Sequence, residues 1–121
     1  MKISTQQVTS YITKDQSEIR ELLHPNNQSA RNQSLAEATV YPQQTTTPHY
    51  HLQTEEIYFI LEGTGEMQLD GKSFAVKVND SVLIPAGQVH FIKNVSDSVL
   101  RFLCCCAPAY QHEDTYIVQQ D

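Results

Sequence analysis

From Leu35 onward the chain is a succession of short strand-like segments, and that pattern leaves few folds open. LAEATVY (35–41), HYHL (49–52), EIYFILEG (56–63), GEMQLD (65–70), SFAVKV (73–78), SVLIP (81–85), HFIKNV (90–95) and VLRFLCCCA (99–107) are rich in β-branched and aromatic residues. Turn-forming residues separate them, beginning with PQQTTTP (42–48). Asp70-Gly71 is a strong two-residue hairpin signal, because a type I′ turn needs positive φ at both central positions. Many short strands at this spacing predict an all-β sandwich or barrel. IYFIL (57–61) is continuously apolar, so both faces of that strand need cover.

A length of 121 residues sets one domain with room for a hydrophobic core. Residues 1–33 read as a polar N-terminal extension, 34–108 as the β-barrel and 109–121 as a C-terminal tail. Within the extension, SEIRELLHP (17–25) fits either one helical turn capped by Ser17 or a short edge strand. NNQSARNQS (26–34) reads as a loop. The net charge of −6 and the lack of a basic run argue against nucleic acid as a partner. No apolar stretch approaches the ~18 residues of a membrane span, and no signal segment opens the chain. The cytoplasm is the expected compartment. Three consecutive cysteines, Cys104 to Cys106, do not make a disulfide framework. They read as small buried hydrophobes, with a reactive thiol as the alternative.

Four residues carry chemistry. His49 and His51 stand two apart, so in an extended strand both imidazoles share a face. Glu56 and His90 follow in neighbouring segments. Three imidazoles and a carboxylate suit a divalent transition metal such as Mn, Fe, Zn, Ni or Cu. Glu55 would point away from Glu56 along the same strand, toward solvent. Tyr58 and Ile60 share the parity of Glu56, and Ile92 that of His90. Tyr58 is therefore a candidate catalytic side chain, or else a core aromatic. Glu37 is left open between the two faces of its strand. His24 and His112 fall outside this pattern and are expected at the surface. The stretch YQHEDT (110–115) reads as an exposed tail, with folding over the barrel mouth or pairing with a partner as the alternatives.

The two segments that hold these residues resemble the cupin superfamily of small jelly-roll barrels. Its first motif runs Gly, five residues, His-x-His, three or four residues, Glu, six residues, Gly. His49, His51, Glu56 and Gly63 fit it, with Gln43 in place of the first Gly. Its second motif runs Gly, five residues, Pro-x-Gly, two residues, His, three residues, Asn. Pro85, Gly87, His90 and Asn94 fit it, with Asn79 in place of the Gly. Asn79 is expected to keep the left-handed turn, and Gln43 to change only local turn geometry. The resemblance covers roughly residues 35–107 and implies a jelly-roll β-barrel holding one divalent metal through His49, His51, Glu56 and His90. It also implies a homodimer joined through an outer sheet face.

Function divides into a metal-dependent enzyme of dioxygenase, decarboxylase, isomerase or cyclase type, a binding or sensing module without turnover, and a storage-type or structural protein with a vestigial site, against which the intact ligand set counts. One carboxylate leaves a dication with net positive charge, so a small anionic or oxygen-chelating molecule is the expected ligand. No DNA-binding helix-turn-helix accompanies the barrel, which counts against a regulator.

Overall fold

The structure, a computed structural model, describes residues 1–27 and 30–119. Two antiparallel sheets pack face to face as a jelly-roll barrel, and the described chain contains no α-helix. The first sheet orders β1 (Tyr11–Ile12), β2 (Glu18–Leu23), β3 (Ser34–Val40), β10 (Leu100–Ala107), β5 (Glu55–Glu62) and β8 (Ser81–Ile84). The second orders β11 (Thr115–Ile117), β4 (His49–His51), β9 (His90–Lys93), β6 (Thr64–Leu69) and β7 (Lys72–Lys77). Strands β1 and β2 come from residues 1–33, and β11 from residues 109–121, so both flanks hydrogen-bond into the sheets.

SEIRELL resolves as strand β2, because pairing with β3 satisfies its backbone and places Ile19 opposite Ala38 on the core face. Part of the loop expected over residues 26–34 lies outside the described residues. Between the sheets, Ile60, Met67, Ile84, Ile92, Leu100 and Phe102 are almost fully buried. Each such side chain contributes on the order of 1.5–3 kcal/mol of transfer free energy.

The turns are built by the residues the motifs provide. Asp70 and Gly71 both take positive φ, as the hairpin signal required. Asn79 adopts φ 76° in the glycine position of the second motif. Gln43 also takes positive φ, at 66°, so the turn keeps the glycine-type backbone rather than changing it. The side chain offsets that cost by donating from Nε2 to the carbonyls of Val95 and Ser96 at 3.2 and 3.0 Å. At Gly63, φ is 82° and an added Cβ would lie 2.3 Å from the Val99 carbonyl oxygen, so no side chain fits there. Asn94 is buried and clasps its loop, donating to the carbonyls of Val40 and Ser98 while accepting from Ser96.

The outer face of the first sheet answers the question raised by IYFIL. Tyr58 and Ile60 enter the core, while Ile57 and Leu83 remain 41% and 53% exposed. Cross-strand register sets Leu35, Cys105, Ile57 and Leu83 side by side across β3, β10, β5 and β8. Glu37 belongs to this outer face. It is buried there between the guanidinium groups of Arg20 and Arg101, at 3.8 and 3.4 Å.

Candidate metal centre

The pleat of β4 turns His49 and His51 inward and Tyr50 outward, where Tyr50 stacks on Tyr116 at 5.2 Å. Strand β9 pairs with β4 so that His90 stands opposite His49. All three imidazoles therefore come from the second sheet. Glu56 reaches the same point from β5 of the first sheet, its carboxylate buried while Glu55 is exposed. The centre thus lies between the inner faces of the two sheets.

Each histidine is oriented through its Nδ1. His49 Nδ1 faces the Thr47 carbonyl at 2.7 Å and His90 Nδ1 the Gln88 carbonyl at 3.0 Å. His51 Nδ1 faces the Asp114 carbonyl at 3.3 Å and the Thr115 hydroxyl at 3.2 Å. A carbonyl accepts only from N–H, so Nδ1 carries a proton in each ring and Nε2 is the nitrogen left to face the centre. The three histidines offer ligand atoms that all lie within 4.8 Å of one another, and such a group can hold a metal ion. Glu56 Oε1 lies 3.4 Å from His51 Nε2 and 3.5 Å from His90 Nε2.

The fit of a metal to these residues rests on two orphaned atoms. Glu56 Oε1 and His90 Nε2 are buried without a hydrogen-bond partner among the described residues. Leaving such atoms unpaired costs on the order of 1–3 kcal/mol each. A cation placed among the Nε2 atoms and Glu56 Oε1 satisfies both at once. Burial would raise the Glu56 carboxyl, but the His51 and His90 imidazoles beside it hold it well below the ordinary carboxylate range. The carboxylate is thus ionised and ready to ligate. Its other oxygen, Oε2, accepts from the Cys106 thiol at 3.4 Å.

Burial lowers His49, helped by the neighbouring His90. Burial also works against charge on His51, yet Glu56 and the Asp114 carbonyl outweigh it and raise the imidazole above its ordinary 6.5. Metal-free protein therefore carries a proton on His51 at and just above pH 6.5, and ligation must displace it. Metal affinity is expected to rise with pH through that window, by up to about tenfold per unit. Calorimetry in buffers of different ionisation enthalpy should find proton release on metal binding that falls as pH rises. Release that does not vary with pH would contradict this assignment.

Several residues sit differently from their expected places. His24 is not at the surface. It is 4% exposed, with Nε2 2.6 Å from the Tyr110 carbonyl oxygen, because β2 and the segment after β10 close over it. His112 is exposed as expected. YQHEDT is not a loose tail. Asp114 accepts from the backbone N–H groups of Leu52, Gln53 and Thr54, fixing the turn that follows His51. Cys104 and Cys106 face inward and Cys105 outward. Burial pushes both inner thiols up, so they remain protonated, and Cys106 serves as a donor rather than a nucleophile.

Tyr58 lines the cavity in front of the histidines, its ring 6.1 Å from that of His90 and 4.5 Å from that of Phe102. Sequence reasoning missed Asp15 altogether. The turn between β1 and β2 brings its carboxylate into the cavity wall, with Oδ2 3.6 Å from His49 Nε2. The only local sign was the Thr13-x-Asp15-x-Ser17 pattern of a side-chain-stabilised turn.

The sequence matches the family model described as Cupin domain over residues 36–106, and the chain belongs to the cupin family. It is 48% identical over 119 residues to an uncharacterized protein of Methanocaldococcus jannaschii, covering 98% of this chain and 95% of that one. The structure is similar to a polyketide cyclase, RemF, from Streptomyces resistomycificus, with a TM-score of 0.84 at 22% identity, covering 100% of this chain and 87% of that one. It is also similar to a predicted oxalate decarboxylase from Thermotoga maritima, with a TM-score of 0.80 at 24% identity, covering 89% of this chain and 99% of that one. No described helix is long and apolar enough to cross a membrane.

Proposed function

We propose that this cupin is a cytoplasmic, metal-dependent enzyme acting on a small molecule that binds through its oxygen atoms. The observation that carries the reading is the convergence of His49, His51 and His90, with the ionised Glu56 beside them, at a cavity that His49, His51 and Glu56 line, with Glu56 Oε1 and His90 Nε2 buried and lacking a hydrogen-bond partner among the described residues. His49, His51, His90 and Glu56 would hold one divalent ion per chain. When bound, that ion supplies Lewis acidity, or oxygen chemistry if it is redox-active.

The surrounding side chains orient the ligand. Burial, then the Glu56 charge, push the Tyr58 phenol well above its ordinary range, so it keeps its proton. Tyr58 thus acts as a hydrogen-bond donor to a ligand oxygen and not as a base. Ile19, Ala36, Ala38 and Phe102 provide an apolar wall that limits water. The Cys106 thiol holds Glu56 in its rotamer. Fold similarity to a cyclase and to a predicted decarboxylase supports an enzymatic reading without choosing the reaction. The test is metal analysis of protein purified without chelators, followed by oxygen uptake and product analysis on hydroxy acids, diketones and phenols. Metal-stripped protein is the control. Turnover lost on stripping and regained on reloading is the expected result, and ligand binding that ignores the metal would overturn the reading.

We infer also that a second copy of the chain covers the outer face of the first sheet. The support is the apolar row Leu35, Cys105, Ile57 and Leu83, which the described part of residues 1–33 leaves exposed at Ile57 and Leu83.

A further inference from the structure

Asp15 belongs to neither motif, yet its position is built as carefully as those of the histidines. The residue is 9% exposed. Its Oδ1 accepts from the Thr13 hydroxyl, from the Ser17 hydroxyl at 2.6 Å and from the Ser17 backbone N–H at 3.0 Å. Three donors on one oxygen fix the carboxylate plane and leave Oδ2 turned toward His49 Nε2 at 3.6 Å. The backbone repeats the alignment. The Asp15 carbonyl accepts from the Thr47 N–H at 2.7 Å, and the Thr47 carbonyl orients His49 through Nδ1. Asp15 and His49 are thus positioned by the same residue.

Atoms that share a metal with bonds of about 2.1 Å stand roughly 3.0–3.5 Å apart when they are adjacent ligands. Glu56 Oε1 stands at 3.4 and 3.5 Å from two of the imidazoles. Asp15 Oδ2, at 3.6 Å from the third, has nearly the same spacing. Resting on the metal reading given above, we propose that Asp15 is the second carboxylate of the metal centre and that it makes the pocket select uncharged oxygen ligands over anionic ones. Glu56 alone leaves a dication with one unit of positive charge, which would favour an anion. Glu56 and Asp15 together leave none. Among the described residues no Lys or Arg lines the cavity to receive an anion. Lys14, next in sequence, donates instead to the carbonyls of His112 and Thr115. Arg20 faces the outer surface and Glu37. The fitting substrate class is therefore a neutral hydroxy-carbonyl or phenolic compound, and the anionic ligand expected from the motif residues alone is disfavoured.

The experiment compares cobalt(II)-loaded wild type with Asp15→Asn. Asparagine keeps an Oδ1 for the Thr13 and Ser17 donors and puts an uncharged, non-ligating NH2 in place of Oδ2, so unfolding temperature should change little while both the charge and the ligand atom are lost. Competition with a chromogenic chelator should show cobalt binding weakened about tenfold or more in Asp15→Asn. Acetate and acetamide, alike in shape and different in charge, are then titrated against the visible absorption of bound cobalt. Wild type is expected to bind acetamide at least as well as acetate, a result that needs no variant. Asp15→Asn should bind acetate about tenfold more tightly than wild type does, with acetamide changed by less than about twofold. Wild-type preference for acetate, or unchanged cobalt or acetate affinity in Asp15→Asn, would overturn the proposal alone. Failure of wild type to bind cobalt would overturn the metal reading along with it.

Discussion

His51→Ala is expected to lower the affinity for divalent metal by at least about 100-fold while the far-UV circular dichroism stays β-rich. The size of the effect follows from what His51 joins. Its Nε2 is one of three imidazole donors and stands 3.4 Å from Glu56. Its Nδ1 ties the centre to the Asp114 carbonyl and the Thr115 hydroxyl of the C-terminal segment. Alanine removes the donor and leaves Glu56 facing the cavity with one imidazole fewer. The sheets do not depend on that side chain, since β4 pairs with β11 and β9 through the backbone. A modest loss of stability, about 1–3 kcal/mol, is expected from the Asp114 carbonyl, which loses the imidazole, while the Thr115 hydroxyl keeps its bond to the Gln111 carbonyl. Metal content after dialysis is the measurement. A stoichiometry equal to that of wild type would remove His51 from the centre.

Ile57→Glu is expected to convert a dimer into a monomer. Wild type should sediment near twice 13.7 kDa at micromolar concentration, and the variant near 13.7 kDa. Ile57 stands between Cys105 of β10 and Leu83 of β8 on the outer face of the first sheet. It is 41% exposed, so within one chain a glutamate there reaches water and costs little. In a two-fold interface the same glutamate enters an apolar patch twice, once from each copy, and cannot be paired. The asymmetry between a tolerated surface change and an intolerable interface change is what the experiment reads. A wild type that sediments as a monomer would show that no second copy covers this face.

Much of the fold was legible because it is local. Alternation along a strand has a period of two, so His49 with His51, Glu56 with Tyr58 and Ile60, and His90 with Ile92 were assignable to common faces before any pairing was known. Asp70-Gly71 and Asn79 specified their turns through the φ values they tolerate. SEIRELL was ambiguous because its short apolar pattern satisfies either period, and only the exposed edge of β3 decided for a strand.

What the sequence by itself determined is the jelly-roll class, the inward set of three imidazoles and Glu56, and the turns that close the hairpins. The turns and the shared strand faces follow from residue type and parity, while the jelly-roll class and the full ligand set rest on the two cupin motifs. What only the tertiary structure decided lies in contacts between segments far apart in the chain. Asp15 reaches His49 across the β1–β2 turn, and Cys106 meets Glu56 because β10 and β5 pair in that register. His24 is buried by a segment 86 residues away. Glu37 takes the outer face between two arginines because its strand has Ala36 and Ala38 turned to the core. The physical reason is the same in each case. A strand's own sequence fixes which side chains share a face, but the register and neighbour of that strand fix what the face meets.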